Sequence, residues 1–325
     1  MTYTEFLTEW NSDGEWISVQ TSGSTGTPKP MLVEKKRMLA SAQLTCDFLH
    51  LQPGNTALLC MPLNFIAGKM MVVRALERQL KLIEVPPSSH PLALLKGQQL
   101  DFAAMVPLQV WHSLEVPEEA ETLRSIRHLL IGGGAIDASL EAVLRIFPNA
   151  VWSSYGMTET LSHIALRRLN GTEASLYYTP FKQVKLSLSK EETLVIEAPL
   201  ITPERLVTND LAEILPDGRF RILGRRDNVI CSGGLKLQIE EIEALLRPLI
   251  SMSFAITSQP DPQLGEAVVL VLESTSLPAS ETLQEWFACL PKYWHPRHTQ
   301  CIDKIPLTES GKIRRKAVKE LIQGR

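Results

Sequence analysis

The stretch HLLIGGGAIDASLEAVLRIFPNAVWSSYG, residues 128–156, decides the fold class. It begins with a short apolar run and a glycine-rich loop, continues as a helical stretch over 140–147, and ends in a second apolar run from residue 150. Two parallel strands joined by a crossover helix have this order of segments. The stretch therefore predicts an α/β core in which helices cover mainly parallel strands.

The same alternation runs through the first two thirds of the chain. Met38, Ala42, Cys46 and Leu49 recur at a helical spacing and indicate one face of a helix. We expect functional loops at the carboxyl ends of the strands, as in other open parallel sheets. The further strand-like runs are WISVQ (16–20), TALLCMPL (56–63), KLIEV (81–85) and FAAMVP (102–107).

The pattern changes after about Leu223. GRRDNVICSGG (224–234) is polar and has neither a helical nor a strand period. The sequence therefore predicts a large domain over 1–225 and a small α+β domain over 226–325, joined by a short hinge. The small domain has a helix face of Ile239, Ile242, Leu245 and Leu249, a helix capped by Ser280, a last helix over 315–322, and strands at 254–259, 267–273 and 299–306.

Composition excludes several classes of protein. Of the 325 residues, 44% are hydrophobic and 21% are charged, which is typical of a globular chain. The net charge of −3 provides no global attraction to nucleic acid or to an anionic membrane. No apolar run reaches the roughly 18 residues that span a bilayer, and residues 1–16 are acidic, so we do not expect them to act as a secretory signal. Five scattered cysteines favour a reduced, cytoplasmic protein.

A polar loop, TSGSTGTPK (21–29), follows the first strand. Its glycines allow close approach of a ligand, while its hydroxyls and Lys29 suit the oxygens of a polyphosphate. It is not a Walker A loop, because Pro28 occupies the position of the second glycine. Taken alone, the loop is equally compatible with a flexible polar turn. The candidate phosphate contacts are Thr21, Ser22, Gly23, Ser24, Thr25, Gly26 and Lys29.

Five ordered motifs together resemble the adenylate-forming enzymes, which include acyl-CoA synthetases, nonribosomal adenylation domains and luciferases. TSGSTGTPK is similar to the phosphate loop of that family. The other four are SSYGMTET (153–160), VTNDLAEI (207–214), GRRDNVICSGGLKLQIEEIE (224–243) and PLTESGKIRRK (306–316). The resemblance implies that ATP and a carboxylic acid form an acyl adenylate with Mg²⁺, and that the thiol of CoA then displaces AMP. It also implies that the small domain is a mobile lid.

The resemblance assigns roles around the nucleotide. Lys312 neutralises charge between the carboxylate and the α-phosphate, although a solvated lysine in a basic tail is the plainer interpretation of that residue by itself. Thr158 contacts a phosphate and Glu159 binds Mg²⁺, whereas an ordinary turn capped by Thr158 is the structural alternative. The remaining nucleotide contacts are Gly132, Gly133 and Gly134 along the adenine, Tyr155 against its face, Asp210 at the ribose hydroxyls, and Arg225 at the ribose or a phosphate.

Three further residues belong to the expected lid movement. Asp227 lies at the hinge position of the family, while Gly233 and Gly234 would line a channel for the pantetheine arm of CoA. Asn209 stands where the family usually has glycine before the ribose-binding aspartate. Because asparagine adopts a positive φ less freely than glycine, this departure disfavours the family's usual turn at that position.

The segment PLNFIAGKMMVVRAL (62–76) bears on the acid. Its I-A-G-x₅-R run is similar to that of o-succinylbenzoate–CoA ligases of menaquinone synthesis, in which the arginine faces a substrate carboxylate. Arg74 is then a second anchor for a dicarboxylate, whereas a solvent-reaching surface arginine is the alternative. Asn64 replaces a histidine that is common in the family. The predicted acid-binding residues are Asn64, Gly68, Arg74 and Ser154.

Typical family members carry a long additional region before the phosphate loop, which here begins at residue 21. We therefore expect a reduced large domain or a compensating homodimer. Two other functions stay open: a different acid-activating adenylating enzyme, such as one that loads a carrier protein, and a degenerate nucleotide-binding module without ligase activity.

Overall fold

The computed structural model describes residues 1–20, 30–134, 136–308 and 312–323. Its helices are α1 (Tyr3–Trp10), α2 (Lys35–Phe48), α3 (Ile66–Arg78), α4 (Pro107–Glu115), α5 (Pro117–Ser125), α6 (Ala138–Leu144), α7 (Ile239–Leu246), α8 (Ser280–Phe287) and α9 (Arg315–Gln323). Short 3₁₀ turns cover Thr158–Thr160, Arg226–Asn228 and Lys292–Trp294. None of the helices in these ranges is long and apolar enough to cross a membrane.

The strands are distributed along the whole described chain. They are β1 (Trp16–Gln20), β2 (Pro30–Glu34), β3 (Thr56–Leu59), β4 (Lys81–Glu84), β5 (Phe102–Met105), β6 (His128–Ile131), β7 (Ala150–Gly156), β8 (His163–Arg168), β9 (Thr179–Pro180), β10 (Lys185–Leu188), β11 (Thr193–Glu197), β12 (Leu206–Ile214), β13 (Phe220–Arg225), β14 (Val229–Ser232), β15 (Leu235–Gln238), β16 (Phe254–Asp261), β17 (Gly265–Glu273) and β18 (His298–Ile302). Each apolar run predicted as a strand contains one.

The chain divides into two compact units. The first consists of Met1–Ile136, Leu140–Thr208 and Glu213–Arg221, and the second of Asp137–Ser139, Asn209–Ala212 and Ile222–Arg325. The domain boundary expected between residues 225 and 226 stays a prediction.

The main sheet of the first unit has the strand order β4-β3-β5-β6-β7-β8-β9. The first five strands in this order, from β4 to β7, are parallel to one another, whereas β7 pairs with β8 and β8 with β9 in antiparallel fashion. All four residues of β5 are buried, as expected for a strand covered on both faces. This confirms a mixed α/β fold with a mainly parallel sheet.

The alternation of strands and helices ends earlier than predicted. After β7 the chain forms strands without intervening α-helices up to residue 225, and β10-β11-β12-β13 make a separate sheet. β10 and β11 pair as an antiparallel hairpin in which Leu186 lies opposite Ile196. Antiparallel neighbours can be joined by short turns, so this pair needs no crossover helix.

The second unit contains a sheet of order β15-β14-β17-β16, with β18 parallel to β17. The stretch 224–234, expected to lack regular structure, forms a 3₁₀ turn and then β14. Gly233 and Gly234 have φ of 57° and 81° and form the two-residue turn between β14 and β15. Such turns need positive φ at both positions, which glycine adopts without a steric cost.

Two details of the predicted helices in the second unit are wrong. Ile239 and Ile242 are buried as expected, but Leu245 and Leu249 are 42% and 45% exposed. Leu246 is buried in their place, because the spacing of three and four residues continues from Ile242 to that position. Ser280 is the first helical residue of α8 and not its cap, which is Ala279.

Candidate active site

A glycine strip follows β6 at the carboxyl edge of the main sheet, where functional loops were expected. Gly133 has a φ of +78°, which glycine tolerates best. A Cβ atom on Gly132 would lie 2.3 Å from the Oγ of Ser154. The Ser154 hydroxyl donates a hydrogen bond to the carbonyl of Ile131 at 3.3 Å. A side chain at position 132 would have to displace the Ser154 hydroxyl, and glycine leaves the backbone open to a flat ligand.

Tyr155 belongs to an aromatic cluster that sequence reasoning missed. Its ring lies 5.3 Å from that of Phe220 in an edge-on contact and 6.0 Å from that of Tyr178. The hydroxyls of Tyr178 and Ser153 are 2.9 Å apart. An isolated antiparallel bridge pairs Tyr178 with Phe220, which is far away in the sequence. No local sequence pattern therefore predicts the cluster. A rigid aromatic surface of this kind suits a purine base.

The turn after β7 carries Thr158 and Glu159. Thr160, and not Thr158, pins this turn, because its Oγ1 accepts a hydrogen bond from the backbone N–H of Met157 at 3.0 Å. A Cβ on Gly156 would lie 2.2 Å from the carbonyl oxygen of Ser162, so the tight approach of the two segments needs glycine. Thr158 is buried and Glu159 is exposed. The alternative of a turn capped by Thr158 is therefore wrong.

Glu159 fits a Mg²⁺ site of the open kind. In the part of the chain that the structure describes, no three His, Cys, Asp or Glu side chains converge as a metal cluster. Mg²⁺ commonly binds one or two protein carboxylates and takes its other ligands from water and substrate phosphates. An exposed carboxylate on a rigid turn satisfies that requirement.

Arg74 is buried, with 2% of its surface exposed, so the surface alternative is wrong. Helix α3 buries every residue from Gly68 to Ala75 and has no solvent-facing side there. Arg74 Nη2 donates to the hydroxyl of Ser162, Nη1 lies 3.8 Å from the sulfur of Met71, and Nε has no partner among the described residues. Burial lowers the pKa of Arg74 to about 10. Across the described ranges no carboxylate pairs with this guanidinium.

Other predicted acid-binding residues have different surroundings. Asn64 is exposed, and its Oδ1 accepts a hydrogen bond from the amino group of Met1 at 2.9 Å. A Cβ on Gly68 would lie 2.4 Å from the carbonyl oxygen of Pro62, which gives this glycine a packing role at the start of α3. Within the described residues, no hydrogen bond joins Arg74 to Asn64 or to Ser154.

The predicted ribose-binding residues form a charged group in the second unit. Arg225 donates two hydrogen bonds of 2.8 Å to Asp227 and one of 3.3 Å to Asp210. These contacts lower the pKa of Asp227, chiefly through the hydrogen bonds from Arg225. Asn209 and Asp210 lie within β12, and Asn209 does not have the positive φ of a turn. Asn209 Oδ1 instead accepts a hydrogen bond from Arg226 at 3.1 Å.

Lys312 lies shortly before α9 and contacts Thr308 through its backbone. Its backbone N–H donates to the Oγ1 of Thr308 at 3.0 Å, and its carbonyl accepts from the N–H of Thr308 at 2.7 Å. Partial desolvation lowers the pKa of Lys312, the nearby Arg225 lowers it further, and Asp210 opposes this change. The lysine is therefore held by its backbone close to Asp210 and Arg225.

The sequence profile of the AMP-binding enzyme family matches residues 19–194. The chain belongs to this family. An acyl-CoA synthetase (AMP-forming)/AMP-acid ligase II-like protein from Dyadobacter fermentans is 33% identical, with a TM-score of 0.66 over 98% of this chain and 93% of that protein. This likeness agrees with the mixed α/β fold.

Two curated relatives point to different members of the AMP-binding enzyme family. The 2-succinylbenzoate–CoA ligase of Salmonella typhimurium is 29% identical over 82% of this chain and 60% of the ligase. A linear gramicidin synthase chain of Brevibacillus parabrevis is 25% identical over 92% of this chain and 7% of the synthase chain. The chain thus spans less than two thirds of the length of either relative.

The loop that resembles the family's phosphate-binding segment, with Thr21, Ser22, Gly23, Ser24, Thr25, Gly26 and Lys29, lies outside the described residues. Its phosphate contacts stay predictions, and so do the nucleotide roles of Gly132, Gly133, Gly134, Tyr155, Asp210 and Arg225.

Proposed function

We propose that this chain is an ATP-dependent acid–CoA ligase that works through an acyl adenylate, and that its acid is a dicarboxylate of the o-succinylbenzoate type. One observation carries the choice of acid: among the described residues, a buried arginine in the first unit has neutral partners only. A buried cation is costly unless an anion compensates it. A substrate carboxylate at Arg74 supplies that anion.

The first half-reaction joins two anions. A carboxylate oxygen of the acid attacks the α-phosphorus of ATP, and pyrophosphate leaves with the electron pair of the broken P–O bond. Lys312 lowers the barrier by neutralising charge that develops between carboxylate and phosphate. Thr158 binds a phosphate oxygen, and Glu159 holds Mg²⁺, which supplies further positive charge. Asp210 accepts hydrogen bonds from the ribose hydroxyls.

The second half-reaction needs a different arrangement. The CoA sulfur attacks the acyl carbon, and AMP leaves. We propose that residues 226–325 act as a lid that turns about Asp227, withdraws Lys312 and presents the Gly233–Gly234 turn to the pantetheine arm. The geometry of that turn supports the last role, because two residues without Cβ atoms leave its backbone open. Compensation by a homodimer stays a separate prediction.

Pyrophosphate release with a panel of acids tests the proposal. o-Succinylbenzoate is expected to give the highest rate, and thioester is expected to form only when CoA is added. 4-Oxo-4-phenylbutanoate, which has one carboxylate, is the matched poor substrate. Lys312→Met should slow adenylation about 100-fold or more, as for loss of a charge-stabilising group in other enzymes. An unchanged adenylation rate in Lys312→Met would overturn the mechanism.

A second function is favoured by the likeness to the gramicidin synthase chain over 92% of the present chain. In that case the protein loads an acid onto a carrier protein. Acid-dependent exchange of pyrophosphate into ATP, with no thioester on free CoA, would support this function. ATP binding without any acid-dependent turnover would identify the chain as a nucleotide-binding module without ligase activity.

A further inference from the structure

A line of hydrogen bonds leads from Arg74 on α3 to the backbone of α2. Arg74 Nη2 contacts the hydroxyl of Ser162, which lies 3.1 Å from Nδ1 of His163. The Nε2 atom of the same ring lies 3.0 Å from the Oγ1 of Thr45. Thr45 in turn donates to the carbonyl of Ser41 at 3.2 Å. Each of these side chains is buried or half-buried.

The two ends of this line fix the direction of every proton in it. A guanidinium only donates and a carbonyl only accepts. Ser162 therefore accepts from Arg74 and gives its own proton to Nδ1 of His163. Because the Thr45 hydroxyl donates to Ser41, it accepts from Nε2–H of the ring. His163 must then be neutral, with its proton on Nε2.

The surroundings of His163 agree with that neutral form. Burial, and secondarily the charge of Arg74, lower the pKa of His163 well below its usual value. A protonated ring would direct Nδ1–H at Ser162 and leave the serine proton without this acceptor. It would also place a second cation beside a guanidinium that has no counterion in the described chain.

Two members of the line, Ser162 and His163, follow Glu159 on the same backbone segment. Leu161 has a φ of +62°, which is unfavourable for a residue with a Cβ atom. Hydrogen bonds from Leu161 N to the carbonyl of Thr158 at 2.9 Å and from Ser162 N to that of Thr160 at 2.6 Å hold this conformation. The strained turn thereby places Ser162 next to Arg74 and His163 next to Ser162.

We propose that His163, as the neutral Nε2–H tautomer, is a positioning residue for Arg74. It orients the Ser162 hydroxyl so that a serine lone pair accepts a hydrogen bond from one Nη of the guanidinium. The Nε–H of Arg74 is then left to bind a substrate carboxylate. This inference rests on the proposed function, in which Arg74 anchors the second carboxylate of the acid. His163 does not touch the substrate in this arrangement.

NMR of the full chain with ¹⁵N-labelled histidine tests the arrangement without any turnover. The expected result is a His163 ring that keeps the Nε2–H tautomer from pH 5.5 to pH 8. A ring that titrates in this range, or that carries its proton on Nδ1, would overturn the proposal. A second sample with ¹⁵N-labelled arginine reports on Arg74 itself. In His163→Leu the Nε–H signal of Arg74 should broaden or exchange faster with water, while His163→Asn, which keeps an acceptor near the Nδ1 position, should restore it.

Kinetics then test whether positioning matters for the acid. His163→Leu is expected to raise the KM for o-succinylbenzoate about tenfold and to change kcat less than threefold, as for the loss of one orienting hydrogen bond. The KM for 4-oxo-4-phenylbutanoate should stay unchanged, and His163→Asn should recover most of the loss. Equal increases for both acids would indicate a purely structural residue and contradict the proposal.

A matched control separates these effects from general destabilisation. His128 is also a poorly solvated histidine of the first unit, but it contacts Trp152 at the amino end of β6. His128→Leu should leave the ratio of the two KM values unchanged. If the wild type activates neither acid, the proposed function fails, and the NMR result still decides whether His163 positions Arg74.

Discussion

Two buried or largely buried arginines, one in each compact unit, have opposite surroundings. Arg315 in the second unit donates to both carboxylate oxygens of Glu243, at 2.9 and 2.8 Å, and Glu243 also accepts the N–H of Ile256. Arg74 in the first unit contacts a hydroxyl and a thioether, and its Nε lacks a partner among the described residues. The charge of Arg315 is compensated within the fold, whereas that of Arg74 has no compensation in the described chain.

The difference indicates what each charge is for. The bidentate pair ties α9 to α7 and β16, three residues after Lys312 in the sequence. An uncompensated buried guanidinium contributes little to stability and is the more natural candidate for binding an anion. Substitutions at the two positions should therefore separate stability from acid recognition.

Breaking the compensated pair is expected to have the largest effect. Glu243→Leu leaves the Arg315 charge without its main partner and should lower the free energy of unfolding by about 3–5 kcal/mol. Guanidinium denaturation measures the change. Glu240→Gln is the control, because Glu240 lies 4.0 Å from the same arginine and is more exposed. Equal losses in the free energy of unfolding in the two variants would show that the bidentate geometry adds nothing to stability.

Arg74→Met should show the reverse behaviour. An apolar side chain of similar length removes the uncompensated charge, so the free energy of unfolding should stay within about 1 kcal/mol of the wild type or increase. The KM for o-succinylbenzoate should increase about 30- to 100-fold, which corresponds to the loss of one charge-assisted pair. A large loss of stability with an unchanged KM would identify Arg74 as structural.

This contrast also shows how far sequence reasoning reaches. The strands of the main sheet and the order of the motifs follow from local patterns such as the alternation around Gly132. The partner of Arg74 does not, because Ser162 lies 88 positions away and is brought close by pairing of the main sheet. Tyr178 and Phe220 were missed for the same reason. Pairing between distant strands leaves no local periodicity. The surface alternative for Arg74 failed because α3 is buried all round from Gly68 to Ala75, which the sequence of the helix alone does not show.

The two regions should also respond differently to acid. The ordinary pKa of a histidine is 6.5. Burial lowers the pKa of His163 well below this value and that of His128 to about 4. The unfolded chain therefore binds more protons below about pH 6.5, and stability falls by up to about 1.4 kcal/mol per pH unit for each such histidine. Carboxylates such as Asp227 and Glu266 have lowered pKa values and lose their contribution only as the pH falls through about 4.5 and below.

Urea unfolding at pH 7.5, 6.5 and 5.5 measures this effect. His163→Asn should lose less stability than the wild type between pH 6.5 and pH 5.5, because it removes one buried group that must stay neutral. An identical slope in the variant would mean that His163 is already protonated in the folded chain.

The smallest expected effect concerns glycines, which the two regions use for different reasons. A Cβ on Gly132 would displace the Ser154 hydroxyl, whereas Gly234 has open space around it and is favoured by its φ of +81°. Gly234→Ala should therefore cost only about 1 kcal/mol of backbone strain. Gly234→Asn should cost less, because asparagine enters the left-handed region more readily than alanine. Thermal unfolding of both variants measures the difference. An equal loss of stability in Gly234→Asn and Gly234→Ala would show that the added side chain collides with a neighbour. The β14–β15 turn would then be less open than its geometry indicates.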